Sequence, residues 1–199
     1  MSLRTFAGEV LADFQTTAAI APSSNSLVQA MLEPLPLRTA KIVVELGPGT
    51  GVMTRALLDR MPQNAVLLAF EINPRFFRYL SGTSSDPRLR LINAGAETLA
   101  AEFPRRGYQR VDAVISSLGL SLMPDQQRHA ILGGLLPFMG PKSVFTQFLY
   151  IHAAAYYRVE NGRPSRFNGE QLLRRYFNTV QRRSVWLNLP PAFAFACRP

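Results

Sequence analysis

The chain has 199 residues, 47% of them hydrophobic, which suits one compact domain with a substantial core. Twenty-two Lys and Arg against 13 Asp and Glu give a formal net charge of +9, which reads either as a solvated basic face or as attraction to a phosphate-bearing partner, nucleic acid or anionic lipid. The lone Cys197 excludes an internal disulfide, and two distant histidines, His129 and His152, argue against a protein-built zinc site.

In chain order, Leu3, Phe6, Ala7, Val10, Leu11 and Phe14 recur at helical spacing and predict an amphipathic helix over Leu3–Gln15. It packs on the core or lies on a membrane surface. The N-terminus lacks a basic start, an apolar run and a cleavage site, so no signal peptide is expected. No run of 18 apolar residues predicts a spanning helix. The expected location is therefore cytoplasmic. Ser and Asn residues up to Asn25 cap a second helix, about Ser26 to Leu32, which Pro34 and Pro36 end. Residues 1–40 read as N-terminal helices, and 41–199 as the core.

From Lys41 onward strands and helices alternate. Strands are predicted at Lys41–Leu46, Ala65–Phe70, Leu89–Ile92, Val111–Ser116 and Val144–Leu149. Helices fall between them, at about Val52–Met61, Asn73–Leu80, within Gly95–Phe103 and from Asp125 to Leu136. A loop with Gly162 and Pro164 precedes a helix at about Asn168–Phe177. Val180–Leu187 and Phe193–Cys197 form a terminal antiparallel pair. This is an α/β pattern with a mostly parallel, seven-stranded sheet covered on both faces. Ligands in such sheets bind beyond the carboxyl ends of the strands.

The stretch after the first strand is the most specific. Glu45-Leu46-Gly47-Pro48-Gly49-Thr50-Gly51 places an acidic residue and three alternating glycines between a strand and a helix. Glycine lets the turn adopt positive φ and leaves room for a ligand against the backbone. Its N–H groups and the following helix start favour an anionic group, here a carboxylate. About 20 residues on, the second strand ends in Glu71, which can accept both hydroxyls of a ribose. The spacing differs from the G-x-G-x-x-G of NAD sites and from the P-loop of ATP sites. It resembles the S-adenosylmethionine (SAM) site of Rossmann-like methyltransferases.

The other strand ends supply Ala96 at the expected adenine position, Ser116 and Ser117 nearest the expected methyl group, and Tyr150. Each has a plainer reading: a helix cap for Glu71, turn residues for Ser116 and Ser117, a packed aromatic for Tyr150, a packing or surface residue for His152.

Ala19-Ile20-Ala21-Pro22-Ser23-Ser24, the glycine turn through Thr54, Ala69-Phe70-Glu71 with Phe76, Val114-Ile115-Ser116-Ser117, Gln147 with Tyr150, and Asn188-Leu189-Pro190-Pro191-Ala192 together resemble the bacterial phospholipid N-methyltransferases. That family methylates phosphatidylethanolamine and its partly methylated forms towards phosphatidylcholine. The resemblance implies that Glu45, Gly47, Gly49, Thr50 and Gly51 form the SAM loop and Glu71 holds the ribose. Ser23 and Ser24 would lie in a segment that covers the cofactor. Tyr150 would line the headgroup pocket, and Arg182 or Arg183 would meet the lipid phosphate. The methylated nitrogen, once cationic, suits an aromatic face such as Tyr150, Tyr156 or Tyr157. Tyr150 and Ser116 are the candidate catalytic hydroxyls. The partners implied are an anionic membrane surface and its phospholipid; no protein partner is evident.

The main competitor on the same fold is RNA adenine dimethylation. Those enzymes carry a polar-Pro-aromatic turn after strand four that holds a flipped base, whereas this chain has Ser116-Ser117-Leu118-Gly119. Nucleic acid is therefore the less favoured partner. A SAM-binding protein without transfer activity has no positive support. Gly95 also stands where many SAM enzymes have an acidic residue that contacts adenine.

Overall fold

Hydrophobic strands buried on both faces form the centre of the protein. The structure, a computed structural model, describes residues 24–151, 157–160 and 163–199. The expectations for Leu3–Gln15, Ser23 and His152 lie outside these residues. The elements begin with α1 (Asn25–Leu32), β1 (Ile42–Leu46), α2 (Val52–Leu58), β2 (Val66–Phe70), α3 (Pro74–Thr83) and β3 (Leu89–Ile92). Then come α4 (Leu99–Arg105), β4 (Val111–Ser116), α5 (Asp125–Leu135) and β5 (Met139–Tyr150). The chain ends with β6 (Tyr157–Glu160), β7 (Arg163–Arg166), α6 (Gly169–Leu173), β8 (Thr179–Val185) and β9 (Ala192–Arg198).

Seven strands form one sheet in the order β3-β2-β1-β4-β5-β9-β8. β1 to β5 are parallel, β9 runs against β5, and β8 runs against β9. The chain reverses its direction of strand addition between β1 and β4. That switch point opens a crevice at the carboxyl ends of these strands.

Strand alternation divides the core into two layers. Val43, Ala113, Ile115, Val144 and Phe148 face α1 and α2. Val44, Leu46, Val114, Phe145 and Leu149 face the layer that contains α4, α5 and α6. Helix α1 begins where Ser24 Oγ accepts the Leu27 N–H at 3.2 Å, and it buries Leu27, Val28, Ala30, Met31 and Leu32. Burying each side chain of leucine size is worth about 1.5–3 kcal/mol, so this short helix is held by its packing. Asn73 caps α3 and Asn168 caps α6, each side chain accepting a backbone N–H. Among the described residues no helix is long and apolar enough to cross a membrane.

Three differences from the sequence reading have physical causes. β5 starts at Met139 rather than Val144, because a register shift opposite Val111 and Ala113 absorbs Gly140 and Pro141. Ser143 holds this irregularity by accepting the Gly140 N–H and donating to the Val111 carbonyl. Pro164, expected in a loop, lies within β7, which forms a separate two-stranded antiparallel ribbon with β6. β8 stops at Val185, which leaves Trp186 and Leu187 on the turn that follows.

Candidate functional site

The glycine turn leaves β1 with Gly47, Gly49 and Gly51 all in the left-handed region, at φ 74°, 56° and 79°. A side chain at Gly47 would also meet Leu118, whose Cδ2 lies 3.1 Å from an added Cβ. Gly49 has open space around it, so only its φ resists a side chain. The three glycine N–H groups are engaged within the fold. Gly47 donates to the Phe70 carbonyl, Gly51 to the Pro48 carbonyl, and Gly49 to Glu71 Oε2 at 3.0 Å. The sequence reading aimed these groups at an anionic ligand. They instead shape the loop and tie it to the end of β2. The Thr50 carbonyl accepts from Arg55 Nη1.

Two carboxyl groups flank the turn. Glu45 is fully buried on the α2 side of the sheet, and its Oε2 accepts the Thr54 hydroxyl at 2.7 Å. Burial pushes its pKa up to about 8; the Thr54 hydrogen bond opposes the rise and nearby Glu71 adds to it. Glu45 Oε1 has no hydrogen-bond partner. Glu71 is buried too, and its Oε1 accepts the Asn73 N–H at 2.7 Å. Burial raises its pKa against the lowering effect of the Asn73 and Gly49 N–H groups. Each Glu71 oxygen holds one N–H and keeps a further lone pair for a hydroxyl.

These features fit SAM. The unpartnered Glu45 oxygen suits a cationic amine beside the turn, and the remaining Glu71 lone pairs suit ribose hydroxyls. Thus Glu45, the glycine turn and Glu71 would hold the cofactor.

The end of β3 adds Asn93 and Glu97 to Ala96, the residue expected at the adenine. Asn93 Nδ2 donates to the Glu71 carbonyl at 2.7 Å and joins the β2 and β3 ends. Ala96 is buried at the start of a single 3-10 turn, Ala96–Thr98. Glu97 folds its carboxylate over Gly95, close enough that a methyl there would overlap it. A carboxylate therefore reaches the expected adenine region from two positions later, and the i+2 spacing was the available signal.

At β4 the Ser117 N–H donates to the Leu46 carbonyl at 2.9 Å. Buried Ser116 accepts the Leu118 N–H at its Oγ, 3.4 Å away. Leu118 then lies against Gly47, so the turn after β4 closes on the glycine loop. Gln147 is the register partner of Ser116. Its Nε2 donates to the Leu118 and Phe148 carbonyls at 2.9 and 2.6 Å, while its buried Oε1 has no partner.

The two candidate catalytic hydroxyls leave the sheet on opposite faces. Ser116 shares the face of Val114, and Tyr150 shares that of Phe148, whose ring it meets edge-on at 5.4 Å. Burial holds the Tyr150 phenol above its ordinary pKa.

Arg182 and Arg183 sit on edge strand β8, three strands from β4. Arg182 pairs with Glu170 at 3.4 Å and covers the Phe193 ring at 4.7 Å. Arg183 pairs with Glu33 at 2.6 Å on the other face. Neither reaches Ser116 or the glycine turn. Ser24 donates its N–H to Asn188 Oδ1 at 3.0 Å, which places it at the β8–β9 turn. Tyr157 opens β6; the role expected of its side chain lies outside what is described.

A family model described as Ribosomal RNA adenine dimethylase matches residues 23–139. An ornithine lipid N-methyltransferase of Singulisphaera acidiphila is 26% identical over 194 residues, covering 97% of this chain and 94% of that protein. Ribosomal RNA small subunit methyltransferase H of Aromatoleum aromaticum is 32% identical over 95 residues, 48% of this chain and 30% of that protein. Among solved structures, a 1,6-didemethyltoxoflavin-N1-methyltransferase of Burkholderia thailandensis with bound S-adenosylhomocysteine superposes with a TM-score of 0.66. That likeness has 18% identity and covers all of this chain and 91% of the other.

Proposed function

Since the chain belongs to the ribosomal RNA adenine dimethylase family and is a SAM-dependent methyltransferase, we propose that it methylates the amine headgroup of a membrane lipid. Phosphatidylethanolamine and its partly methylated forms are the substrates of choice, with the amine of an ornithine lipid as the close relative suggested by the similar protein. The observation that carries this reading is the turn after β4. Its Leu118 is folded onto Gly47, and Ser116, Ser117 and Gly119 surround it. A flipped adenine needs an aromatic face and a polar acceptor there, while a small amine needs only room.

The match to the family model ends at Met139, where β5 begins, so it spans the cofactor half. The lipid enzyme remains similar over nearly the whole chain, including the parts that carry Gln147, Tyr150 and the β8–β9 turn.

SAM, when bound, supplies an electrophilic methyl carbon. The residues need only position a neutral amine against it and keep water away. Tyr150, kept protonated by burial, serves as a hydrogen-bonding and aromatic wall rather than a base. Its ring face would accommodate the cationic nitrogen that forms. The amine proton leaves to water.

The test is to incubate the protein with methyl-labelled SAM and either phosphatidylethanolamine liposomes or ribosomal RNA. Label in the chloroform phase is expected. Label in dimethyladenosine with none in lipid would overturn the reading.

A further inference from the structure

The β8–β9 turn inverts the usual rule of burial. Trp186, Leu187 and Leu189 are 69%, 81% and 78% exposed, while Asn188 between them is 6% exposed. Asn188 fixes the base of the turn, accepting the Ser24 N–H and donating to the Pro190 carbonyl at 2.7 Å. The Ile151 N–H adds a bond to the Pro191 carbonyl at 2.9 Å. A polar side chain is thus buried to hold a loop whose apolar side chains face water. Such exposure in one patch marks an interaction surface.

Its position suggests the partner. β8 runs parallel to β5 through two antiparallel steps, so the turn stands on the same rim as the glycine loop. Tyr150 pairs with Ala192, and Ala192 pairs with Val185. Trp186 therefore begins two strand spacings, roughly 10 Å, from Tyr150. Ile72, another exposed hydrophobic residue, follows Glu71 on the far flank of that rim. Arginines accompany both apolar points. Arg182 and Arg183 precede the turn on β8, and exposed Arg75 and Arg78 follow Ile72 on α3. The Arg183 pair with Glu33 is exposed on both sides, and such pairs hold weakly enough to exchange for lipid phosphate.

We propose that the β8–β9 turn inserts Trp186, Leu187 and Leu189 into the headgroup region of an anionic phospholipid bilayer, bringing the carboxyl rim and Tyr150 to the lipid surface. This rests on the lipid-amine reading above for its purpose. Tryptophan with neighbouring leucines and flanking arginines suits the interface between headgroups and acyl chains. A second copy of the chain is a poorer fit. Three side chains offer on the order of 400 Å², below the roughly 800 Å² per partner of a stable interface.

Trp186 is the sole tryptophan of the chain, so its fluorescence reports the turn alone. The full chain is mixed with phosphatidylcholine vesicles with and without phosphatidylglycerol, and with brominated acyl chains as quenchers. A blue shift and bromine quenching are expected, stronger with phosphatidylglycerol. L187E/L189E, altered at exposed positions, should keep its SAM affinity and lose vesicle partition about a hundredfold, roughly tenfold for each leucine no longer buried. It should also methylate detergent-dispersed lipid at the wild-type rate and vesicle lipid far more slowly. Unshifted, unquenched Trp186 in protein that sediments with vesicles would overturn the proposal. So would a failure to bind vesicles, or a blue shift without vesicles that grows with protein concentration. Insertion as expected, with no lipid methylated in any form, would uphold the turn and sink the lipid-amine reading.

Discussion

Glu45→Gln should remove a pH dependence of stability that the wild-type chain carries. Glu45 has an ordinary pKa of 4.5, which burial in the fold pushes up to about 8. The sign follows from proton counting. Below pH 4.5 both folded and unfolded states hold the proton, and the neutral carboxyl contributes its full stability. Between 4.5 and about 8 the unfolded chain gives up the proton while the folded one keeps it, so stability falls as pH rises. Each pH unit in that interval costs about 1.4 kcal/mol. Roughly 3.5 units therefore give a ceiling of about 5 kcal/mol. Glu71 shifts the same way, which is why the difference between wild type and Glu45→Gln is the informative quantity. Glutamine keeps the shape and can accept from Thr54, and any cost of its extra N–H groups does not depend on pH. The assay is urea unfolding of both proteins at a series of pH values from about 4.5 to about 9. The wild-type advantage should shrink steadily with pH and level off above about 8. A difference that stays constant across the series would refute the claim that Glu45 is buried as a neutral group.

The same carboxyl should respond to the cofactor. A cationic amine beside the unpartnered Oε1 favours the charged form, so SAM binding at neutral pH should release a proton. Calorimetry in buffers of different ionisation enthalpy should detect it in wild type and not in Glu45→Gln. Glu71→Ala removes both ribose acceptors and the anchor of the Gly49 and Asn73 N–H groups. It should lower SAM affinity at least about tenfold, at roughly 1.5–3 kcal/mol per hydrogen bond to a charged group, as measured by titration. Gly49→Ala meets no neighbour within 4 Å, so it should cost only about 1–2 kcal/mol of folding stability, for its left-handed backbone. Tyr150→Ala should slow lipid turnover with SAM affinity unchanged, whereas Tyr150→Phe, which keeps the ring, should stay within a few-fold of wild type. Vesicle binding should weaken with salt, because the Debye length falls from about 10 Å at 0.1 M to about 3 Å at 1 M.

Local rules made the cofactor half legible in the sequence, and pairings across long stretches of chain hid the rest. The glycine turn was readable because positive φ at alternating positions between a strand and a helix demands glycine, and the structure has positive φ at Gly47, Gly49 and Gly51. The first four strands followed from spacing and periodicity alone, and the Ser and Asn cluster marked the start of α1, where the structure selects Ser24 as the cap. Even the neutral state of Glu45 had a signal. It alternates with Val43 on a strand covered on both faces, so its carboxyl had to enter the core. Adjacent residues on a strand point to opposite faces, and that parity alone separates Arg182 from Arg183. One turns to Glu170 and the other to Glu33. The Ser116 and Tyr150 placements differ in kind, since they depend on the register that pairs Ser116 with Gln147. Only that register puts the two hydroxyls on opposite faces and brings Gln147 to the turn after β4. Asn188 is harder still, because its partner Ser24 is 164 residues away. The Asn-Leu-Pro-Pro-Ala stretch stood out by its letters, but those letters do not reveal that its asparagine is buried and its leucine exposed. Asn188 is held inward by Ser24 and Pro190, and because β8 stops at Val185, Trp186 and Leu187, read as strand, join the exposed turn on the rim that carries Tyr150.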